Sequence, residues 1–162
     1  MITGWLKKSP FIVERAEEAE LPLLANVHAE CFAHEWGTSE LSKMFEQRTN
    51  VFFVARYTGA LSSRDPIGFL ILRSVAGEAE VLTIAVSPKS RGRGVGRALM
   101  ETGIFHLYSE RVESLFLEVD EDNTSAVSLY KSLGFTKVGE RKSYYSASEG
   151  AGTALVMRCD LN

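Results

Sequence analysis

Between residues 80 and 100 the chain reads EVLTIAVSPKSRGRGVGRALM, an apolar run that stops at a proline and reopens as a glycine- and arginine-rich helix start. Residues 81–86 are of strand type on both faces, the pattern of a strand covered on both sides, and Pro88 cannot extend a ladder. After the loop, Val95, Ala98, Leu99, Thr102 and Phe105 recur at helical spacing. The order is therefore strand, loop, helix. A strand reached through a crossover helix is expected to lie parallel to the strand before it, and the apolar run at residues 114–119 takes that place.

The loop sits where unpaired N–H groups and the positive end of the helix dipole gather. Its glycines let the backbone approach a ligand closely, and Arg91, Arg93 and Arg97 add charge, which suits a phosphate or pyrophosphate. The same residues also suit a plain solvated turn, and the loop alone leaves both readings open. A Walker loop is excluded because the Gly-Lys-Ser/Thr ending is missing, and a Rossmann turn because the Gly-x-Gly-x-x-Gly spacing is missing.

The chain of 162 residues, 45% apolar, is long enough for one domain with a full core. Residues 1–10 read as an N-terminal extension and residues 11–162 as a single domain. A net charge of −3 gives no basis for direct nucleic-acid binding. Cys31 and Cys159 are far apart, without metal-ligand spacing, and read as buried free thiols in a reducing compartment. No signal-peptide core or membrane-length apolar run occurs, so a cytoplasmic address, no membrane association and no metal are expected.

Along the chain, residues 11–15 alternate as a first strand, and Glu17, Glu18 and Glu20 with Pro22 form a helix start. Leu24, Val27, His28, Cys31 and Phe32 share one helical face, where His28 reads as a packed core histidine. A second helix follows, capped by Thr38 or Ser39, with Leu41, Met44 and Phe45 inward. Trp36, in the loop between these helices, is either a packing lid or part of a substrate wall. Strands at 50–57 and 67–75 precede the one at 80, as an antiparallel meander. Asn123 can cap a fourth helix that ends at Gly134, and residues 135–140 and 154–159 supply two last strands.

The strand SLFLEVD puts Leu115, Leu117 and Val119 on one face and Phe116, Glu118 and Asp120 on the other. A carboxylate at Glu118 among apolar neighbours must meet solvent, a partner or a cavity. On the helix after it, Asn123, Ala126 and Tyr130 fall along one stripe. Taken alone, Glu118 also fits a solvated sheet face, and Tyr130 a core position.

The combination of Arg91-x-x-Gly94-x-Gly96 after a strand, Leu117-Glu118-Val119, and Asn123-x-x-Ala126-x-x-Leu129-Tyr130-x-x-x-Gly134-Phe135 resembles the GNAT superfamily of acetyl-CoA-dependent N-acetyltransferases. Within it the chain resembles the RimI-type Nα-acetyltransferases of ribosomal protein. Glu20-Leu21-Pro22, Trp36 with Ser39-Glu40, and Arg141 with Tyr144-Tyr145 extend the likeness. The resemblance implies an α/β (α+β) GNAT fold: a central mixed, mostly antiparallel sheet of six to seven strands flanked by four helices.

It also implies acetyl-CoA as cosubstrate. Ile84, Ala85 and Val86 would run beside the pantetheine arm, and Arg91, Gly92, Arg93, Gly94, Val95, Gly96 and Arg97 would hold the pyrophosphate. Asn123 would bond the pantetheine, Glu118 would be general base and Tyr130 general acid. Trp36, Tyr144 and Tyr145 would border the acceptor. RimI-type chains carry Glu-Asp-Ala where this one has Gly152-Thr153-Ala154, so two acids beside the acceptor site are missing. The acceptor implied is a protein N-terminus, with an alanine-starting ribosomal protein leading. The alternatives are a small amine or lysine side chain, and a CoA-binding module without catalysis.

Overall fold

The structure is a computed structural model that describes residues 10–59, 62–142 and 152–162. Tyr144, Tyr145, Gly150 and Ala151 lie outside the described residues. Seven strands form one sheet in the order β1-β2-β3-β4-β5-β7-β6. They are β1 (Phe11–Arg15), β2 (Asn50–Tyr57), β3 (Gly68–Val75), β4 (Glu78–Val86), β5 (Ser114–Asp120), β6 (Thr136–Lys142) and β7 (Thr153–Asp160). Four helices accompany them: α1 (Leu21–Cys31), α2 (Thr38–Glu46), α3 (Val95–Ser109) and α4 (Thr124–Ser132). The expected mixed, mostly antiparallel sheet of six to seven strands with four helices is what the chain adopts. The chain divides into two compact units, one drawn from residues 1–70 and 84–99 and the other from residues 71–83 and 100–162.

In the first unit β1 and β2 pair antiparallel, Phe11 opposite Tyr57 through Arg15 opposite Phe53. Arg56 of β2 is buried, and burying a guanidinium requires partners. It has three: the carboxylates of Glu14 at 2.6 Å and Glu20 at 2.5 Å, and the carbonyl of Arg64 at 2.9 Å. The acidic stretch read as a helix start thus doubles as a lock between α1 and the sheet. A short 3-10 turn, Glu18–Glu20, leads into α1, and Pro22 stands in its first turn, where no N–H is needed. The cap of α2 is Gly37, not Thr38 or Ser39, which lie inside the helix.

The stripe of α1 also differs from expectation at its end. Leu24, Val27 and His28 are buried, whereas Cys31 is only half-buried and Phe32 is exposed. Phe32 is the C-cap in extended conformation, so its side chain leaves the helical face. Along α3 the buried positions are Val95, Leu99, Met100, Gly103 and Leu107, and Phe105 points to solvent. The stripe there turns away from the face that Phe105 occupies, and Phe105 is no core residue.

In the second unit β3 and β4 meet through a two-residue turn, Ala76 and Gly77, both at positive φ. Such a turn joins antiparallel strands with matching twist. β4 and β5 are parallel, as the crossover by α3 requires, but their register covers only Glu78 to Glu80 opposite Ser114 to Phe116. β7 pairs antiparallel with β5 along its whole length on one side and with β6 on the other.

Gly134, at φ +98°, closes α4 with two bonds: Phe135 N–H to the Tyr130 carbonyl and Gly134 N–H to the Lys131 carbonyl. The Phe135 ring then rests 5.8 Å from the Tyr130 ring. An L-residue at this φ is strained. Gly134→Ala is therefore expected to lower unfolding free energy by about 1–2 kcal/mol in urea titrations. An unchanged midpoint and slope would show that the left-handed position is not what holds this helix end.

Candidate active site

In the first unit, β4 ends at Val86 and a 3-10 turn, Pro88–Ser90, redirects the chain to the loop before α3. One side-chain and one backbone hydrogen bond fix that turn. The Tyr57 hydroxyl pairs with the buried Ser90 hydroxyl at 2.9 Å, and the Ser87 N–H donates to the Ile67 carbonyl at 2.8 Å. Arg91 turns back toward the strand: its Nε–H donates to the Val86 carbonyl at 3.1 Å and its Nη2 lies 3.4 Å from Cys31 Sγ. The Cys31 thiol donates to the same carbonyl at 3.3 Å.

Gly92 and Gly94 have φ of +76° and +87°, and a Cβ built on either meets nothing within 4 Å. They are there for backbone conformation, and the space before them is open. The Ala98 N–H already bonds the Gly94 carbonyl, so α3 begins at once, and the N–H groups of Val95 and Gly96 in its first turn have no acceptor within the helix. Arg93 and Arg97 are exposed beside them. An open glycine cradle at a helix N-terminus flanked by arginines fits a pyrophosphate. The side chain of Arg91 is engaged in bracing the strand end.

Also in this unit, His28 is 2% exposed. Its Nδ1 accepts the Trp36 N–H at 3.0 Å, and its ring stacks on Trp36 at 4.8 Å and lies 4.4 Å from Phe32. The packed reading of His28 is the right one, and what it packs is the loop that carries the half-buried Trp36. Burial pushes the His28 pKa below its ordinary value, and the charge of Glu35 opposes this in part.

In the second unit, Glu118 lies on the open face of β5, its side chain 44% exposed, with Arg141 Nη2 at 3.0 Å from Oε2. Of the surroundings open to it, it meets solvent and a partner, while Leu117 and Val119 are buried on the opposite face. Tyr130 is 6% exposed, and burial raises its pKa. Its phenol therefore stays protonated through neutral pH. Asn123 caps α4, its Oδ1 accepting the Ala126 N–H at 3.2 Å and the Ser125 hydroxyl at 3.3 Å. That fixes the amide, so its Nδ2–H groups are the ones to offer a ligand. A cavity of about 330 Å³ on the same unit is lined by Arg73, Val75, Glu78, Ala79, Glu80 and Phe116, none of them an expected site residue.

Sequence reasoning missed the partners more than the sites. Arg141 was visible beside the paired tyrosines, but its reach to Glu118 depends on β6 and β7 pairing, which has no local signal. The Tyr57–Ser90 and Cys31–Arg91 links likewise join residues 33 and 60 positions apart.

A strand, an open glycine cradle and a helix N-terminus in this order suit a cosubstrate that carries a pyrophosphate. The model of the acetyltransferase (GNAT) family matches residues 21–135, and the chain belongs to that family. It is 30% identical over 145 residues to the [ribosomal protein bS18]-alanine N-acetyltransferase of Escherichia coli K12, covering 90% of this chain and 94% of that one. The crystal structure of the ribosomal-protein-S18-alanine N-acetyltransferase from Escherichia coli superimposes with a TM-score of 0.83 at 28% identity, over 94% of each chain. A mycothiol acetyltransferase of Kocuria rhizophila is 36% identical over 140 residues, 79% of this chain but 45% of its own length. The protein is thus a GNAT acetyltransferase, of a family that uses acetyl-CoA. Among the described residues no helix is long and apolar enough to cross a membrane.

Because His28 is held neutral, its contribution to stability is fully present above pH 6.5 and is lost as pH falls through its lowered folded value. Protonation also turns Nδ1 from acceptor into donor, facing the Trp36 N–H. The melting temperature of the wild type is expected to fall between pH 7.5 and pH 5 more than that of His28→Asn, whose amide oxygen can keep the bond to Trp36 without titrating. Parallel falls in both proteins would sink this assignment.

Proposed function

We propose that this acetyltransferase modifies the free α-amino group of a protein N-terminus, with an alanine-starting ribosomal protein as leading acceptor. In this reading it works in the cytoplasm, with residues 11–162 acting as one domain. The observation that carries the reading is the likeness to the S18-alanine enzyme over 94% of both chains, in backbone as well as in sequence. The chemistry favours the same acceptor. At pH 7 an α-amino group costs about 1 kcal/mol to deprotonate, and a lysine about 4–5 kcal/mol.

Bound acetyl-CoA would supply an activated thioester. Gly92, Gly94, Val95 and Gly96 would hold its pyrophosphate through backbone N–H groups, with Arg93 and Arg97 neutralising charge. Arg91 belongs to this grip through the Val86 carbonyl it fixes. Ile84, Ala85 and Val86 would pair with amides of the pantetheine arm, Asn123 would donate to it, and a backbone N–H near Val86 would meet the developing oxyanion. Glu118, directly or through one water, takes the proton of the attacking amine, and Tyr130 gives its own to the departing thiolate. Trp36, Tyr144 and Tyr145 would flank the acceptor. The missing acids before Ala154 weaken attraction for a basic peptide but leave the transfer chemistry in place.

The similarity to a mycothiol acetyltransferase favours a second reading, a small amine as acceptor. Three substrates separate the two: an Ala-start peptide, the same peptide with a blocked N-terminus, and a small amine. Turnover on the free N-terminus alone is expected. Turnover on the small amine alone would replace the first reading with the second, and CoA binding without any turnover would leave a non-catalytic module.

Glu118→Gln and Tyr130→Phe are each expected to lower kcat by about 10²–10⁴-fold with little change in the acetyl-CoA constant. Arg93→Ala is expected to raise that constant with kcat nearly kept. Unchanged kcat in both of the first two variants would remove the acid and base roles.

A further inference from the structure

The cavity of about 330 Å³ on the second unit lies outside the groups assigned to acetyl transfer, and its walls come from three neighbouring strands. A two-residue turn pairs the residues that flank it, so in the β3–β4 hairpin Val75 faces Glu78 and Arg73 faces Glu80. Glu80 in turn is in register with Phe116 of β5, and Glu78 with Ser114. Arg73, Glu80 and Phe116 therefore form a row across the sheet, on the face that carries Glu118 two residues further along β5. At the rise of a strand, that step from Phe116 to Glu118 is about 7 Å.

Charge decides what such a cavity can take. Glu78, Glu80 and Arg73 are exposed, and no ion pair among the described residues engages any of them. Glu118 has its own counter-ion in Arg141. The lining thus sets two carboxylates against one guanidinium, an excess of one negative charge. Arg73 faces Glu80 and offsets it in part, while Glu78 stands one row away beside Val75. Half-buried Phe116 and exposed Val75 supply apolar surface between these groups. A single cation on a long apolar stem suits all of this: the stem lies on Phe116 and Val75, and the head reaches the carboxylates. An anionic group would have Arg73 alone, against two glutamates.

We propose that this cavity is an acceptor subsite: with the amine at Glu118, a lysine or arginine at the second or third residue of the acceptor peptide places its side chain between Phe116, Glu78 and Glu80. This rests on the reading of a protein N-terminus as acceptor and of Glu118 as base. An extended peptide advances about 7 Å in two residues, the step that separates Glu118 from Phe116. The volume is at the lower end of the range of about 300–1,000 Å³ for ligand sites, room for one long side chain. The two glutamates make the site favour a basic N-terminal segment, and Arg73 moderates the attraction.

The test measures kcat/KM on four Ala-start peptides of one otherwise neutral sequence: Arg at residue two, Arg at residue three, Gln at both, and Glu at both. In the wild type the better Arg peptide is expected to exceed the Gln peptide about tenfold, mainly through KM, with the Glu peptide poorest. That ratio is expected to fall to about two in the double variant Glu78→Gln/Glu80→Gln and to rise in Arg73→Gln. A loosened hairpin would lower the rates on all four peptides together and leave the ratio alone. Equal rates on Arg and Gln peptides in the wild type, or a ratio that these substitutions do not move, overturn the subsite. No turnover on any Ala-start peptide overturns instead the acceptor reading, and the subsite falls with it.

Discussion

Under the function proposed for this chain, a backbone ladder that starts and then stops is what receives the cosubstrate. β4 and β5 are in parallel register for three residues, and beyond Glu80 and Phe116 both strands continue. Buried strand backbone seeks partners, because unpaired N–H and C=O groups are costly away from water. β5 meets the demand through seven pairs with β7, from Ser114 opposite Asp160 to Asp120 opposite Ala154. β4 has β3 as its other neighbour, and from Val81 onward its β5-facing edge is free of that register. A ligand that is itself a chain of amides suits such an edge, since it can complete the ladder as an added strand would.

The rest of the first unit gives that edge a firm end. Arg91 and the Cys31 thiol converge on one carbonyl, Val86, and Tyr57 fixes Ser90 in the turn that follows. A loop braced this way loses little freedom on taking up an anion, and preorganisation of that kind is a large share of affinity. Arg56 serves the same unit more remotely by holding Glu14 and Glu20 together. The carboxyl of Glu20 is kept below its ordinary pKa chiefly by that guanidinium, against the opposing effect of burial.

Much of this was legible in the residues. Strand 11–15, the helix stop at Gly134 and the alternation in SLFLEVD depend on local rules of φ, capping and period, and these survive in the fold. The three motifs in order were enough to give the superfamily. What failed was of another kind. Phe105 kept helical spacing with Val95 and Leu99, yet the covered face of α3 runs through Met100 and Leu107, a choice made by tertiary packing. For Glu118 the residues left solvent, a partner and a cavity open, because the partner it meets stands two strands away. The ion pair with Arg141 depends on β7 inserting between β5 and β6, which no local pattern announces.

Hydrogen–deuterium exchange with and without acetyl-CoA tests the central claim most directly, because it reads the backbone groups themselves. The account predicts that amides in residues 81–86 and 92–97 become protected on binding, while those of β1 and β2 do not change. Saturating acetyl-CoA that leaves both segments exchanging as before would contradict the assignment of the β4 edge and the glycine cradle as the cosubstrate site.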